Sequence, residues 1–332
     1  MIPVSNDPWI STNGESCMKK AFRIIGKLFL AFLILLVLFV LGVFIYNRIK
    51  INQEKPLLDK PLGEMVEVDG HQMCIYTEGE GEHTLVFLSG GGTASPILDF
   101  KSLYTLFSDR YKIVVIEKFG YGFSDVVDTE RSFDTILRQD REALSKAGIN
   151  GPFVLCPHSM SGLEAILWAQ KYPDEVKAII GLDMAVPRAY DYFDFAGAER
   201  LESVAAFARE LGFARFYYSD NALPAMLSKE EKALYRAIGC KIAANSAVRN
   251  EASAIPDAVQ EIDRFEKPNI PVLMFVSDGK DVGIENWVGS QIDYAADLTN
   301  ASVIALDCGH YIHNYRPEQI SEEIKAFIAG LQ

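Results

Sequence analysis

Three observations predict an α/β architecture in which a mostly parallel sheet is flanked by helices. Short apolar strands alternate with helical stretches from residue 64 onward. One stretch of about eighty residues, 187–268, carries no convincing strand. A serine sits on a tight turn between a strand and a helix. Alternating buried strands and helices imply a parallel sheet covered on both faces. An all-helical insert between two sheet strands implies a cap over the strand ends.

The first feature along the chain is not part of that body. Residues 28–46 (LFLAFLILLVLFVLGVFIY) run for nineteen positions without a charge. As a helix they span about 28 Å, close to the thickness of a bilayer core. A cleaved signal peptide has a shorter apolar region and ends at a small-residue site; the exit here reads GVFIYNRIK. The expectation is therefore a single-pass transmembrane helix, after a short basic tail (1–27) and before a polar, proline-containing linker (47–63). Lys19, Lys20, Arg23 and Lys27 precede the span, more tightly clustered than Arg48, Lys50, Lys55 and Lys60 after it. By the positive-inside rule this favours a cytoplasmic N-terminus and an extracytoplasmic body at the cell membrane.

The body follows in order. MVEV, the Asp69-Gly70 turn and QMCIYT read as a β-hairpin. TLVFL (84–88) is a strand before three glycines, and residues 97–107 have helical spacing. KIVVIE (112–117) is a strand, and SFDTILRQDREALSKAG (132–148) is an amphipathic helix stopping at Gly148. PFVLC (152–156) is a strand and SGLEAILWAQKY (161–172) a helix. VKAIIGL (176–182), PVLMFV (271–276) and ASVIAL (301–306) are strands, and a terminal helix runs from about Pro317 to Gly330. The units are a first core segment (64–186), the helical cap (187–268) and a second core segment (269–332).

Composition excludes several functions. Of 332 residues, 49% are hydrophobic and 23% charged, enough for a large core and against global disorder. Residues 1–60 hold eight Lys/Arg against four Asp/Glu, whereas the whole chain carries a net −13, so the body is acidic. An acidic body repels phosphate backbones, and no nucleic-acid partner is expected. Cys17, Cys74, Cys156, Cys240 and Cys308 are scattered, without CxxC or zinc spacing, so no metal site or disulfide framework is implied. Gly120-x-Gly122 follows a strand, but Asp125 stands where a dinucleotide fingerprint has its third glycine. The Ser89-Gly90-Gly91-Gly92-Thr93 loop lacks the GxxxxGK[ST] of a phosphate loop. No cofactor is expected.

The chemistry centres on Pro157-His158-Ser159-Met160-Ser161-Gly162. A serine on a sharp strand-to-helix turn is a nucleophile elbow, usually written G-x-S-x-G. Here Pro157 and Ser161 stand at the glycine positions. Ser161 is small, and Gly162 gives the helix room to sit close. A serine hydroxyl needs a base. His310 follows the last strand in LDCGHYIH, at the sheet edge where open α/β sheets bind ligands, with His313 its nearest rival. His158, adjacent to the serine, points away from it and packs; His71 and His83 are solvated. A base needs a carboxylate to hold its tautomer. Asp281 is preferred, then Asp278, both in VSDGKDVG, with Asp183 at the end of the 176–182 strand as the outsider. Two backbone donors must meet the oxyanion: the N–H of Met160 and that of Gly91, with Gly92 the alternative.

In chain order, LSGGGTASP, EKFGYGFSD, LCPHSMSGLEA, IIGLDMAVP, FVSDGKDVG and CGHYIHNYRPE resemble the α/β-hydrolase superfamily from about Met65 to the C-terminus. The resemblance implies the α/β-hydrolase fold, with Ser159 as nucleophile, His310 as base, an acid after the 271–276 strand, and Gly91 and Met160 as oxyanion donors. The sequence looks most like prolyl-aminopeptidase-like and esterase-like members with a helical cap. PHSMSG behind an N-terminal anchor is similar to hydrolases of Gram-positive bacteria. Ser89 stands where members often have His, and Ser rather than Asp at 159 points away from the dehalogenase and epoxide-hydrolase branches. The expected function is a membrane-anchored serine hydrolase that cleaves an ester, thioester or amide of a small-molecule, acyl or peptide substrate through an acyl-enzyme. A prolyl-type aminopeptidase and a non-catalytic binding protein of the same fold are the alternatives.

Overall fold

The structure is a computed structural model that describes residues 12–331, so residues 1–11 of the expected N-terminal tail lie outside the described residues, and the rest of it, from Thr12, is helical. The strands are β1 (Glu64–Val68), β2 (His71–Glu78), β3 (Thr84–Leu88), β4 (Lys112–Glu117), β5 (Phe153–Ser159), β6 (Val176–Met184), β7 (Val272–Val276) and β8 (Ala301–Ala305). They form one sheet in the order β1-β2-β4-β3-β5-β6-β7-β8. The hairpin is antiparallel, β2 pairs antiparallel with β4, and every pair from β4 to β8 is parallel. The apolar runs are continuous because both faces are covered: Leu85 and Phe87 enter one core cluster, Val86 and Leu88 the other.

The helices are α1 (Thr12–Leu58), α2 (Pro96–Asp99), α3 (Lys101–Tyr104), α4 (Phe133–Lys146), α5 (Ser161–Lys171), α6 (Phe195–Leu211), α7 (Ala214–Tyr217), α8 (Lys229–Ile242), α9 (Ser246–Ser253), α10 (Ile255–Ile262), α11 (Trp287–Ala296), α12 (Ile312–Tyr315) and α13 (Pro317–Ala329). Residues 97–107, with helical spacing in sequence, are two short helices, α2 and α3. α6 to α10 form the strand-free insert between β6 and β7. Local chemistry sets their ends. Ser228 and Glu231 make a capping box at α8, Asn245 caps α9, and Gly212 ends α6 at φ 96°.

Residues 47–63 correct the linker expectation: α1 continues without a break to Leu58. NRIKINQEK is made largely of good helix formers, and Pro56 falls in the last turn, where it helps end the helix instead of interrupting it. The extension packs on α6 and α8. Arg215 donates to Asn47 (2.7 Å) and to both oxygens of Glu54 (2.8 and 2.7 Å). A Cβ at Gly212 would lie 2.5 Å from that of Asn47, so only glycine permits this approach. Among the described residues α1 is the one helix long and apolar enough to cross a membrane, and its apolar stretch is not buried by the rest of the fold.

Candidate active site

The carboxyl ends of β5 and β6 and the segment after β8 gather the candidate residues. Ser159 ends β5 at φ 54°, a left-handed conformation that a serine adopts at a cost and that the surrounding structure must enforce. The enforcement is visible in several contacts. A Cβ on Gly90 would come 2.7 Å from the Ser159 Cβ, and one on Gly162 would come 2.1 Å from the Ala185 carbonyl, so glycine is required at both places. The Ser159 carbonyl accepts from Ala185 N–H (2.8 Å). Ser161, at an elbow position usually held by glycine, fastens the turn. Its hydroxyl accepts from His158 N–H (3.0 Å) and lies within donating reach of the Leu88 (2.7 Å) and His158 (2.8 Å) carbonyls. Pro157 is in register with Leu88 of β3.

Ser159 is registered beside Met184 of β6, and the residue before it, Asp183, is also left-handed, at φ 49°. Asp183 is fully buried. One oxygen accepts from His310 Nδ1 at 2.6 Å; the other accepts from Ser277 N–H (2.9 Å) and Gln291 Nε2 (3.1 Å). Burial opposes its ionisation, but the bonds from His310 and Ser277 outweigh that cost and hold the carboxyl below its ordinary value. With Nδ1–H given to Asp183, Nε2 is the unprotonated nitrogen of His310, the tautomer a general base requires.

This arrangement corrects the preference for Asp281. The carboxylate at the His310 ring is Asp183, the outsider in sequence. Asp281 instead accepts from the backbone N–H of His310 (2.9 Å), and a Cβ at Gly309 would lie 2.4 Å from its carboxylate. It shapes the loop and does not reach the ring. Asp278 is spent on Lys280, accepting from its backbone N–H (3.0 Å) and its Nζ (2.7 Å). The physical reason lies in strand order. β6 lies between β5 and β7, so its end is the one beside the serine strand.

His158 is more than packing. Its Nε2 donates to the His310 carbonyl (3.2 Å) and its ring lies 4.5 Å from that of His310, joining the elbow to the His310 segment. Burial, then the neighbouring His310 and His313 rings, hold it well below the ordinary imidazole value, so it is a neutral strut. His313 is buried against Asp99, with Nε2 to carboxylate 2.9 Å.

Met160 stands immediately before α5, at its N-cap. Gly91 faces it: a Cβ there would meet the Met160 side chain at 3.1 Å. The N–H of Gly92, the alternative, already donates to the Tyr121 hydroxyl (3.3 Å). That hydroxyl donates to Glu251 of α9 (2.6 Å), and Lys118, fully buried, pairs with both Glu251 and Glu164 of α5. EKFGYGFSD thus ties the glycine loop to the cap, a role its sequence did not announce. A cavity of about 370 Å³ begins at Gly92 and Thr93 and extends past Asp99 and Tyr311 to Tyr218 and Tyr235 of the insert.

Residues 83–317 match the α/β-hydrolase fold family, and the chain belongs to it as a hydrolase of that type. The protein YbdG of Bacillus subtilis (strain 168) is 37% identical over 316 residues, covering 91% of this chain and 96% of its own. A haloalkane dehalogenase of Sphingobium indicum is 24% identical over 300 residues, 82% of this chain and 98% of its own. Among solved structures, the enol-lactonase from Burkholderia xenovorans LB400 superposes with a TM-score of 0.61 at 14% identity, covering 80% of this chain and all of its own.

Proposed function

We propose that this chain is a serine hydrolase that cleaves an ester, or a related thioester or amide, through an acyl-enzyme. Ser159 attacks the carbonyl carbon. His310 Nε2 takes the hydroxyl proton and returns it to the leaving group. Asp183 orients the ring and stabilises the imidazolium. The N–H groups of Met160 and Gly91 receive the oxyanion. Water then repeats the attack on the acyl-serine, with His310 again as base. The observation that carries the reading is the 2.6 Å contact between His310 Nδ1 and buried Asp183, one residue from the strand position registered with Ser159.

We also read α1 as an uncleaved, single-pass membrane anchor with the body outside the cytoplasm. Its apolar stretch and the basic cluster before it support that reading.

The test is labelling of the full chain with a fluorophosphonate, followed by a substrate panel. The expected result is one adduct on Ser159, none on Ser159→Ala, and a loss in kcat/KM of at least about 10³-fold in that variant. Folded protein that takes no label, or equal labelling of Ser159→Ala, overturns the mechanism. Short-chain esters, long-chain esters and prolyl amides distinguish an esterase from an aminopeptidase. A preference for prolyl amides over every ester replaces the esterase reading.

A further inference from the structure

α6 turns large apolar side chains outward. Leu201, Val204 and Phe207, spaced by three along one stripe, are 70%, 62% and 66% exposed. Of its polar side chains, Glu202 is half-buried and Arg209 reaches under the helix to the Ala243 carbonyl (2.8 Å), while Glu199, Arg200, Ser203 and Glu210 are exposed. A water-facing helix normally turns side chains such as these three toward the core. The apolar surface continues past Gly212 into α7, where Phe216 and Tyr217 are 63% and 73% exposed. Contiguous exposed apolar surface of this kind marks a contact with a partner or a membrane.

α1 decides between those occupants. Phe213 packs on Phe39, ring centroids 6.2 Å apart, and Phe39 lies seven residues inside the end of the charge-free stretch at Tyr46. At 1.5 Å per residue that is a depth of roughly 10 Å below the end of the span. Two residues on, Arg215 turns to Asn47 and Glu54, beyond the span. The start of α7 therefore straddles the level at which α1 leaves its apolar stretch, with the phenylalanine on the lipid side and the guanidinium on the water side. Beside α1 and α7 lies a cavity of about 630 Å³ walled by Phe39, Val43 and Phe216, with Lys50 and the ion-paired Glu54, Asp220 and Arg236 at its polar end, an apolar-to-polar gradient of the kind a membrane interface presents.

We propose that the α6–α7 face of the cap is a membrane-docking surface, immersed in the leaflet through which α1 emerges. The proposal rests on reading α1 as a membrane span. Because α7 also borders, through Tyr217, the cavity that reaches Gly92 and Thr93, docking sets the candidate active site next to lipid.

The test uses the full chain in vesicles of phosphatidylethanolamine and phosphatidylglycerol that contain a diazirine-bearing acyl chain. Adducts are mapped by mass spectrometry after illumination. Adducts on α1 and on residues 200–217 are the expected result. Adducts on α1 alone overturn the docking surface and leave the anchor standing. No adducts on α1 overturns the anchor reading and the proposal with it. In the variant L201E/V204E/F207E, cap labelling falls at least about tenfold with α1 labelling unchanged, because three apolar groups lose their lipid contact. Phe207→Ser lowers it by a smaller factor. Undiminished cap labelling in a folded triple variant overturns the proposal.

Discussion

His310 and His313 stand three residues apart, each against a carboxylate, and they use opposite nitrogens. His310 turns Nδ1 to Asp183 and keeps 13% of its side chain exposed. His313 turns Nε2 to Asp99, is fully buried, and its Nδ1 has no hydrogen-bond partner among the described residues. The first pair leaves Nε2, the nitrogen far from the backbone, free for the proton transfer proposed with Ser159. The second spends Nε2 internally and walls in the other nitrogen. A histidine–carboxylate pair is thus no signature of acid–base work; what separates the two pairs is which nitrogen the carboxylate takes.

That contrast can be broken by substitution. Asp183→Asn is expected to lower kcat by about 10³–10⁴-fold with little change in KM, since the amide no longer enforces the tautomer or balances the imidazolium. Steady-state kinetics on any ester the enzyme turns over checks it. His313→Phe should instead act on stability. It leaves the Asp99 carboxylate buried with only Asn314 against it, at a cost of about 1–3 kcal/mol in urea unfolding, while kcat/KM stays within about tenfold. A large kinetic loss in folded His313→Phe would erase the distinction between the pairs.

The pH dependence follows from the sign of the Asp183 shift. Its carboxyl lies below the ordinary value in the folded protein, so its ionised form adds stability at neutral pH. That contribution disappears as pH falls from about 4 through the lowered value. Asp183→Asn should flatten this acid limb in urea titrations at a series of pH values. The smallest effect belongs to Asp281→Asn. Its side chain still accepts from His310 N–H, and a loss of only a few-fold in kcat/KM is expected. A loss as large as that of Asp183→Asn would return the acid role to Asp281.

Local signals made much of this legible. The hairpin was marked by its Asp69-Gly70 turn and each parallel strand was an apolar run, and the insert was recognisable because nothing in 187–268 had that form. The Ser159 turn could be read because its neighbours are small. Information was missing where the answer depended on strand order. Asp183 and Asp281 both follow strands, and only the placement of β6 next to β5 chooses between them. The His158 strut and the Lys118–Glu251–Tyr121 chain join residues far apart in sequence, so their motifs gave no partner. The linker was misread because prolines were counted as breaks, although Pro56 is late enough in α1 to mark its end.

Ser161 has a consequence beyond the shape of the turn. A bend whose polar groups are satisfied by the protein's own hydroxyl needs no solvent molecule to complete them. On the proposed mechanism, an acyl group could then empty the mouth of water while Ser159 keeps its pose, a waterproof fastening that a glycine at position 161 could not supply.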